Sequence, residues 1–239
     1  MINLFAQSSA HLLQLLGAID ISVPPRGEGR TSDHCERWSI CRFLATYADS
    51  ELLEFPLRLE KRERPDFLVS LPHEDVGIEV TEAVPADWAR VAAHSQKQDG
   101  DDVAFLHRFR PGENLRSVDE VKRIATGASW GAAWAGDSPE RDWAEAMVHF
   151  VMQKVKTFAK PGFGRFASNW LLIYDNWPLP DVDRASAAGY FMRRLLDLNQ
   201  SLPFERIFVE SGQSIWQLCA GELSSCPVRD LWAPADEAS

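Results

Sequence analysis

Between Arg64 and Glu82 the chain carries two short runs of alternating side chains. Phe67, Val69 and Leu71 alternate with Asp66, Leu68 and Ser70, and Ile78 and Val80 alternate with Gly77, Glu79 and Thr81. A period of two is the signature of a strand. Val, Ile, Phe and Thr favour strands, and residues 72–77 supply turn chemistry, so the stretch predicts a β-hairpin. A tight turn near Pro72 sets Asp66 opposite Glu79; a longer one offsets them along the strands. Leu57 to Lys61 reads as a further strand leading into it.

Helical spacing appears on both sides of the hairpin. Ser32 to about Tyr47 predicts a helix on which Glu36, Ile40, Phe43 and Tyr47 share one face, an acid on an otherwise apolar stripe. Pro85 to about Lys97 predicts another. Ser138-Pro139-Glu140 is a helix start, with Ser138 as cap and Pro139 in the first turn, and the helix runs to about Lys160. Its stripe is Ala144, Met147, Val148, Val151, Val155 and Phe158, with Lys154 on the margin and His149, Gln153, Lys156 and Lys160 outward. Asn169 to Asp175 is a continuous apolar run that predicts a strand buried on both faces. A helix from about Val182 to Asn199 follows, then a second hairpin from Arg206–Glu210 and Ser214–Leu218. The first nineteen residues read as a packed helix rather than an export signal, because no Lys or Arg precedes Arg26. Asp20 to Thr31, with Pro24-Pro25, reads as a loop, Gln98 to Ser117 as a flexible insertion, and the tail beyond Cys226 as frayed.

This order predicts an α/β sandwich with a central mixed sheet flanked by helices on both faces, in a single domain over 1–239. An N-terminal helix and loop (1–31) precede a core built from 32–82 and 138–218; 83–137 is an insertion and 219–239 a tail. At 239 residues and 45% hydrophobic content the chain can bury a substantial core. Its formal charge of −10 makes it repel a phosphate backbone as a whole, so a nucleic-acid site must be a local basic patch. The four cysteines, Cys35, Cys41, Cys219 and Cys226, lack zinc-finger spacing and predict buried thiols in a reducing, cytoplasmic setting. No run of about eighteen apolar residues offers a membrane span, and neither GxGxxG nor a P-loop is present. Gly127-Ala128-Ser129-Trp130-Gly131 has the GxSxG spelling of a nucleophile elbow, but a charged helix-like segment precedes it where a buried strand is needed. Trp130 and Trp134 read as packing residues, with base stacking as the alternative.

A carboxylate on a half-buried strand is costly unless it is paired, hydrogen-bonded or bound to a cation. Mg²⁺ is held by one or two carboxylates together with waters and phosphate oxygens, and phosphodiester hydrolysis uses that arrangement. At Pro65-Asp66 and Glu79-Val80-Thr81 the sequence resembles the PD-(D/E)xK nuclease superfamily, the restriction-endonuclease-like fold. That resemblance implies a restriction-endonuclease-like core and metal-dependent cleavage of DNA or RNA, DNA being the nearer expectation, with Asp66 and Glu79 binding Mg²⁺ or Mn²⁺. The motif Lys, which positions or activates the attacking water and stabilises charge, falls on Thr81, which supplies no charge. The resemblance allows a relocated Lys, with Lys154 preferred over Lys97; the alternative for Lys154 is a snorkelling side chain. It also allows Glu36 as a further metal ligand, against the alternative of a first-turn acid facing the helix dipole. The run Arg58, Lys61, Arg62, Arg64 reads either as a phosphate-holding patch or as a charged strand edge. An inactive member of the same fold, serving as a protein-binding or regulatory module, is the second functional reading.

Overall fold

The computed structural model describes residues 2–95, 107–128 and 131–233. Among them a single sheet of eight strands lies in sequence order, from β1 to β8. β1 (Asn3–Ala6), β2 (Leu57–Lys61), β3 (Phe67–Ser70) and β4 (Asp75–Ala83) pair antiparallel. β5 (Ser168–Asp175) joins β4 in parallel and β6 (Arg206–Ser211) joins β5 in parallel. β7 (Ser214–Cys219) and β8 (Glu222–Pro227) complete the sheet as an antiparallel meander. The sheet is therefore mixed and open.

Helices cover both faces. α1 (Ser9–Gly17) and α2 (Ser32–Tyr47) pack through Leu12, Leu16, Ile40, Phe43 and Leu44 onto Leu57, Leu59, Val69, Ile78, Val80, Trp170 and Phe208. α5 (Ser138–Phe158) and α6 (Arg184–Asp197) pack through Trp143, Met147, Val151, Ala187 and Phe191 onto Leu171, Ile173, Ile207 and Val209. Both parallel crossovers, from β4 to β5 and from β5 to β6, thus place their helices on the same face. That is the outcome of right-handed connections advancing in one direction across a sheet. α3 (Ala86–Ser95) and α4 (Val118–Ala125) bury Val91, Val121, Ile124 and Ala125 in a small core of their own within the expected insertion.

The helix at Ser32, the strand at Leu57, both hairpins, the long helix and the buried strand match the sequence reading. Five expectations do not. Cys35 and Cys41 are buried thiols, but Cys219 and Cys226, on the outer strands, are only half-buried. The expected tail from 219 supplies β8, because Glu222–Pro227 pairs with β7. Asn3–Ala6 is an edge strand on β2, and the helix starts only after Ser8, whose hydroxyl accepts from the His11 N–H at 3.2 Å. Three apolar side chains at Ile2, Leu4 and Ala6 fit either period, and pairing with β2 decides. The cap of α5 is Asp137, one residue before Ser138. Residues 227–233 of the tail are docked rather than frayed: Val228, Leu231 and Trp232 pack against the α1–α2 core, and the Trp232 indole donates to the Ile19 carbonyl at 2.9 Å. Lys97 and residues 234–239 of the tail lie outside the described residues, as do Ser129 and Trp130. Before them α4 ends at Ala125, so a helix end stands where a nucleophile elbow needs a strand.

Candidate functional site

Asp66 sits at the foot of β3 because Pro65 is pinned. A Cβ at Gly77 would lie 3.0 Å from Pro65 Cγ and 2.8 Å from Phe166 Cδ2, so glycine lets both rings lie against β4. The pairing of Phe67 with Ile78 then extends to put Asp66 opposite Glu79. The Val80 N–H donates to Asp66 Oδ2 at 2.7 Å, tying the carboxylate to the backbone beside Glu79.

Glu79 is only 4% exposed, on the α5 face of β4 and level with Leu171 of β5. α5 reaches over it, held to the sheet by Met147 and Val151. One turn beyond Val151, Lys154 Nζ donates to Glu79 Oε2 at 2.7 Å and lies 3.7 Å from Asp66 Oδ2. The Lys on the margin of the stripe thus joins the two acids of the hairpin. Burial raises the Asp66 carboxyl above its usual range, the Lys154 ammonium opposes that shift, and the Glu79 charge adds to it. Thr81 follows two positions after Glu79 on the same face of β4, half-buried, and lines a cleft of about 590 Å³ that Lys154 also borders.

Glu36 does not join this pair. Its carboxylate goes to the Lys61 ammonium, which also stands 4.8 Å over the Phe67 ring. Lys61, Arg62 and Arg64 share a second cleft of about 740 Å³ with Glu36 and Asp66, while the charge of Lys61 favours the ionised form of Asp66. Arg58 is separated from that group: it alternates with Lys61 across β2, is exposed, and lies by Glu60 and the Phe5 ring. Of the four-residue basic run, Lys61, Arg62 and Arg64 therefore border this cleft and Arg58 does not.

Arg26 and Arg30 did not stand out in the sequence. Both guanidinium groups meet Glu82, which faces away from Glu79 on β4, Arg30 at 2.6 Å; the Asn176 amide adds a third donor at 2.6 Å. Two arginines four apart in a loop leading to a helix were the available signal. The Cys35 thiol is held up by burial and by Glu82. Burial pushes Cys41 up to about 12, so neither is a ready nucleophile.

Asp66 and Glu79 both lie close to one cation, Lys154 Nζ. Two carboxylate donors fit Mg²⁺ or Mn²⁺, which draw their remaining ligands from water and phosphate. Among the described residues no set of three or more His, Cys, Asp or Glu side chains converges to hold a metal, so the donor set here is two carboxylates without Glu36. Among them, too, no helix is long and apolar enough to cross a membrane. Compared with family models, with curated proteins and with solved structures, the chain gives no match.

Proposed function

We propose that the chain is a metal-dependent nuclease of the PD-(D/E)xK type, hydrolysing phosphodiester bonds in DNA or RNA at Asp66, Glu79 and Lys154. One observation carries the reading: a Lys from α5 reaches the Asp–Glu pair of the hairpin, where the motif has Thr81 in place of its Lys. The succession of α2, three antiparallel strands, α5 and the parallel strand β5 supports the same reading as a restriction-endonuclease-like core.

Asp66 and Glu79 would hold the divalent ion, Asp66 fixed by the Val80 N–H and Glu79 by its burial in β4. That ion would lower the pKa of a water and offset charge building on phosphorus. Lys154 then has two tasks. It offsets the repulsion between two buried acids, and beside a divalent ion held by them its ammonium would serve the phosphate, where a preorganised cation stabilises developing charge. Lys61, Arg62 and Arg64 border the cleft on the Asp66 side and would hold the flanking backbone.

The same contact supports a second reading, in which Lys154 is a permanent partner of both acids and the domain is an inactive, protein-binding member of the fold. Cleavage of a panel of DNA and RNA substrates with Mg²⁺ or Mn²⁺, using Glu79→Ala as control, separates the two. Metal-dependent cleavage that vanishes in the variant is expected; absence of cleavage by folded wild-type protein on every substrate would leave the second reading.

A further inference from the structure

The cleft beside Thr81 and Lys154 has features that metal binding at Asp66 and Glu79 does not use. Arg26, Arg30, Arg90 and Lys154 line it. Lys154 is held by Glu79 and Arg90 by Asp87, acids outside the lining, which leaves Arg26 and Arg30 as the pair that shares one acid, Glu82, inside the cleft. Arg26 and Arg30 converge on a single oxygen, Glu82 Oε1. Each guanidinium carries five N–H donors, so one carboxylate leaves much of this fork unused. The Ser39 hydroxyl borders the same cleft, is fully buried, and has no hydrogen-bond partner. A helical Ser normally bonds back to its own helix or to water, so an orphaned buried hydroxyl beside a fork of arginines is a waiting donor. Thr31 and Ser32 bring the N-terminal end of the sixteen-residue helix α2 to the rim, which adds a positive dipole end.

We infer that this cleft is a phosphate subsite, in which Arg26, Arg30 and Ser39 take a phosphate group of the substrate strand while Lys154 and Thr81, on its wall, face the bond to be cut. Glu82 keeps the fork in shape while the subsite is empty and is in part replaced by the phosphate on binding. The side chains of Arg26 and Arg30 are only about 15% exposed, so the subsite admits a narrow strand or a strand end more readily than the convex flank of a duplex. The identity of the phosphate as part of a nucleic acid rests on the nuclease reading; the subsite itself rests on the residues named.

The test is fluorescence anisotropy of a labelled single-stranded oligonucleotide, as DNA and as RNA, in EDTA so that cleavage plays no part, with inorganic phosphate as competitor. Arg30→Gln is expected to weaken binding at least tenfold and to lower the salt slope by about one. Glu82→Gln, which removes the internal competitor, is expected to tighten it, and Ser39→Ala to weaken it severalfold without lowering the melting temperature. A merely structural Arg30–Glu82 pair would make Arg30→Gln and Glu82→Gln change binding in the same direction. That result, no effect of either in folded protein, or no binding by the wild type, would overturn the subsite. A preference for 5′- or 3′-phosphorylated strands assigns it to a terminal monoester, and equal binding of unphosphorylated strands to an internal diester; a duplex bound more tightly than either overturns it. Arg30-dependent binding without metal-dependent cleavage would sink the nuclease reading alone, and cleavage lost in Glu79→Ala but untouched by Arg30→Gln would sink the subsite alone.

Discussion

Lys154 Nζ lies 2.7 Å from Glu79 Oε2 although the two residues are 75 positions apart in the chain. The contact closes a triangle with Asp66, and each corner comes from a different place: the residue before β3, the middle of β4 and the penultimate turn of α5. A buried pair of acids is tolerable only with such a cation between them.

Replacing that cation tests the two tasks proposed for it. Lys154→Gln is expected to bind Mn²⁺ more tightly, because the ammonium no longer competes for the two carboxylates, and to cleave about 10²–10³-fold more slowly, the usual cost of losing one charge-stabilising donor. Lys154→Arg should recover part of the rate. Isothermal titration with Mn²⁺ beside single-turnover cleavage reads both effects, and a loss of metal affinity in Lys154→Gln would contradict the assignment.

Asp66→Asn should lose metal binding yet gain stability at neutral pH. The Asp66 carboxyl is raised by burial above its usual value of 3.8. In the window just above 3.8 the folded protein therefore holds a proton that the unfolded chain has released. Stability falls as pH rises through that window. Urea melts of Asp66→Asn should lack this component, so the variant gains on the wild type as pH increases from about 4; the opposite trend would mean that Lys154 outweighs burial.

Gly77→Ala strikes the site without touching a charge. The new methyl meets Phe166 at 2.8 Å and Pro65 at 3.0 Å, and forcing a methyl into packed surroundings costs about 1–3 kcal/mol. Pro65 carries Asp66, so cleavage should fall along with stability. Combining Gly77→Ala with Phe166→Ala should cost less than the sum of the two, since the second change removes the nearer obstacle. Additive losses in chemical denaturation would show that the rings do not press on β4.

A second buried charge site holds the end of the chain. Arg42 on α2 donates to Glu210 on β6 at 2.7 Å, reaches Asp230 in the tail, and stacks 4.5 Å from the Trp38 ring. Glu210 is 1% exposed, so Arg42→Ala leaves a buried carboxylate unpaired and should cost about 3–5 kcal/mol. Burial pushes Glu210 up to about 7 against the pull of Arg42. Its contribution to stability therefore declines as pH rises from 4.5 to about 7, and Glu210→Gln should flatten that part of the stability profile. A profile unchanged in Glu210→Gln would remove Glu210 as its cause.

The strand pair around Asp66 and Glu79 was legible because its alternation is local and its turn residues lie between the two runs. α5 was legible for the same reason, though its buried side also takes Trp143, Ala146 and Phe150 and leaves Val148 and Val155 of the expected stripe only partly buried. The N-terminal strand was not, because four residues with apolar Leu4 and Ala6 fit either period until β2 is there to pair with them. Nor was the docking of the tail: Asp230 has a reason to be ordered only once Arg42 is buried between α2 and β6 with capacity for a second acid.

What the sequence determined by itself is what depends on neighbours along the chain: the helix and strand periods and the hairpins, with two acids on neighbouring strands whose register the β3–β4 pairing then settled. The tertiary structure decided the charge partnerships of the site, because those join elements far apart in sequence. It gave Lys154 to Glu79, took Glu36 for Lys61, split Arg58 from Lys61 across the two faces of β2, and brought Arg26 and Arg30 onto Glu82. A strand fixes which face a side chain takes, but which cation meets it is set by the helix that the crossover lays on that face, and local pattern carries no record of that.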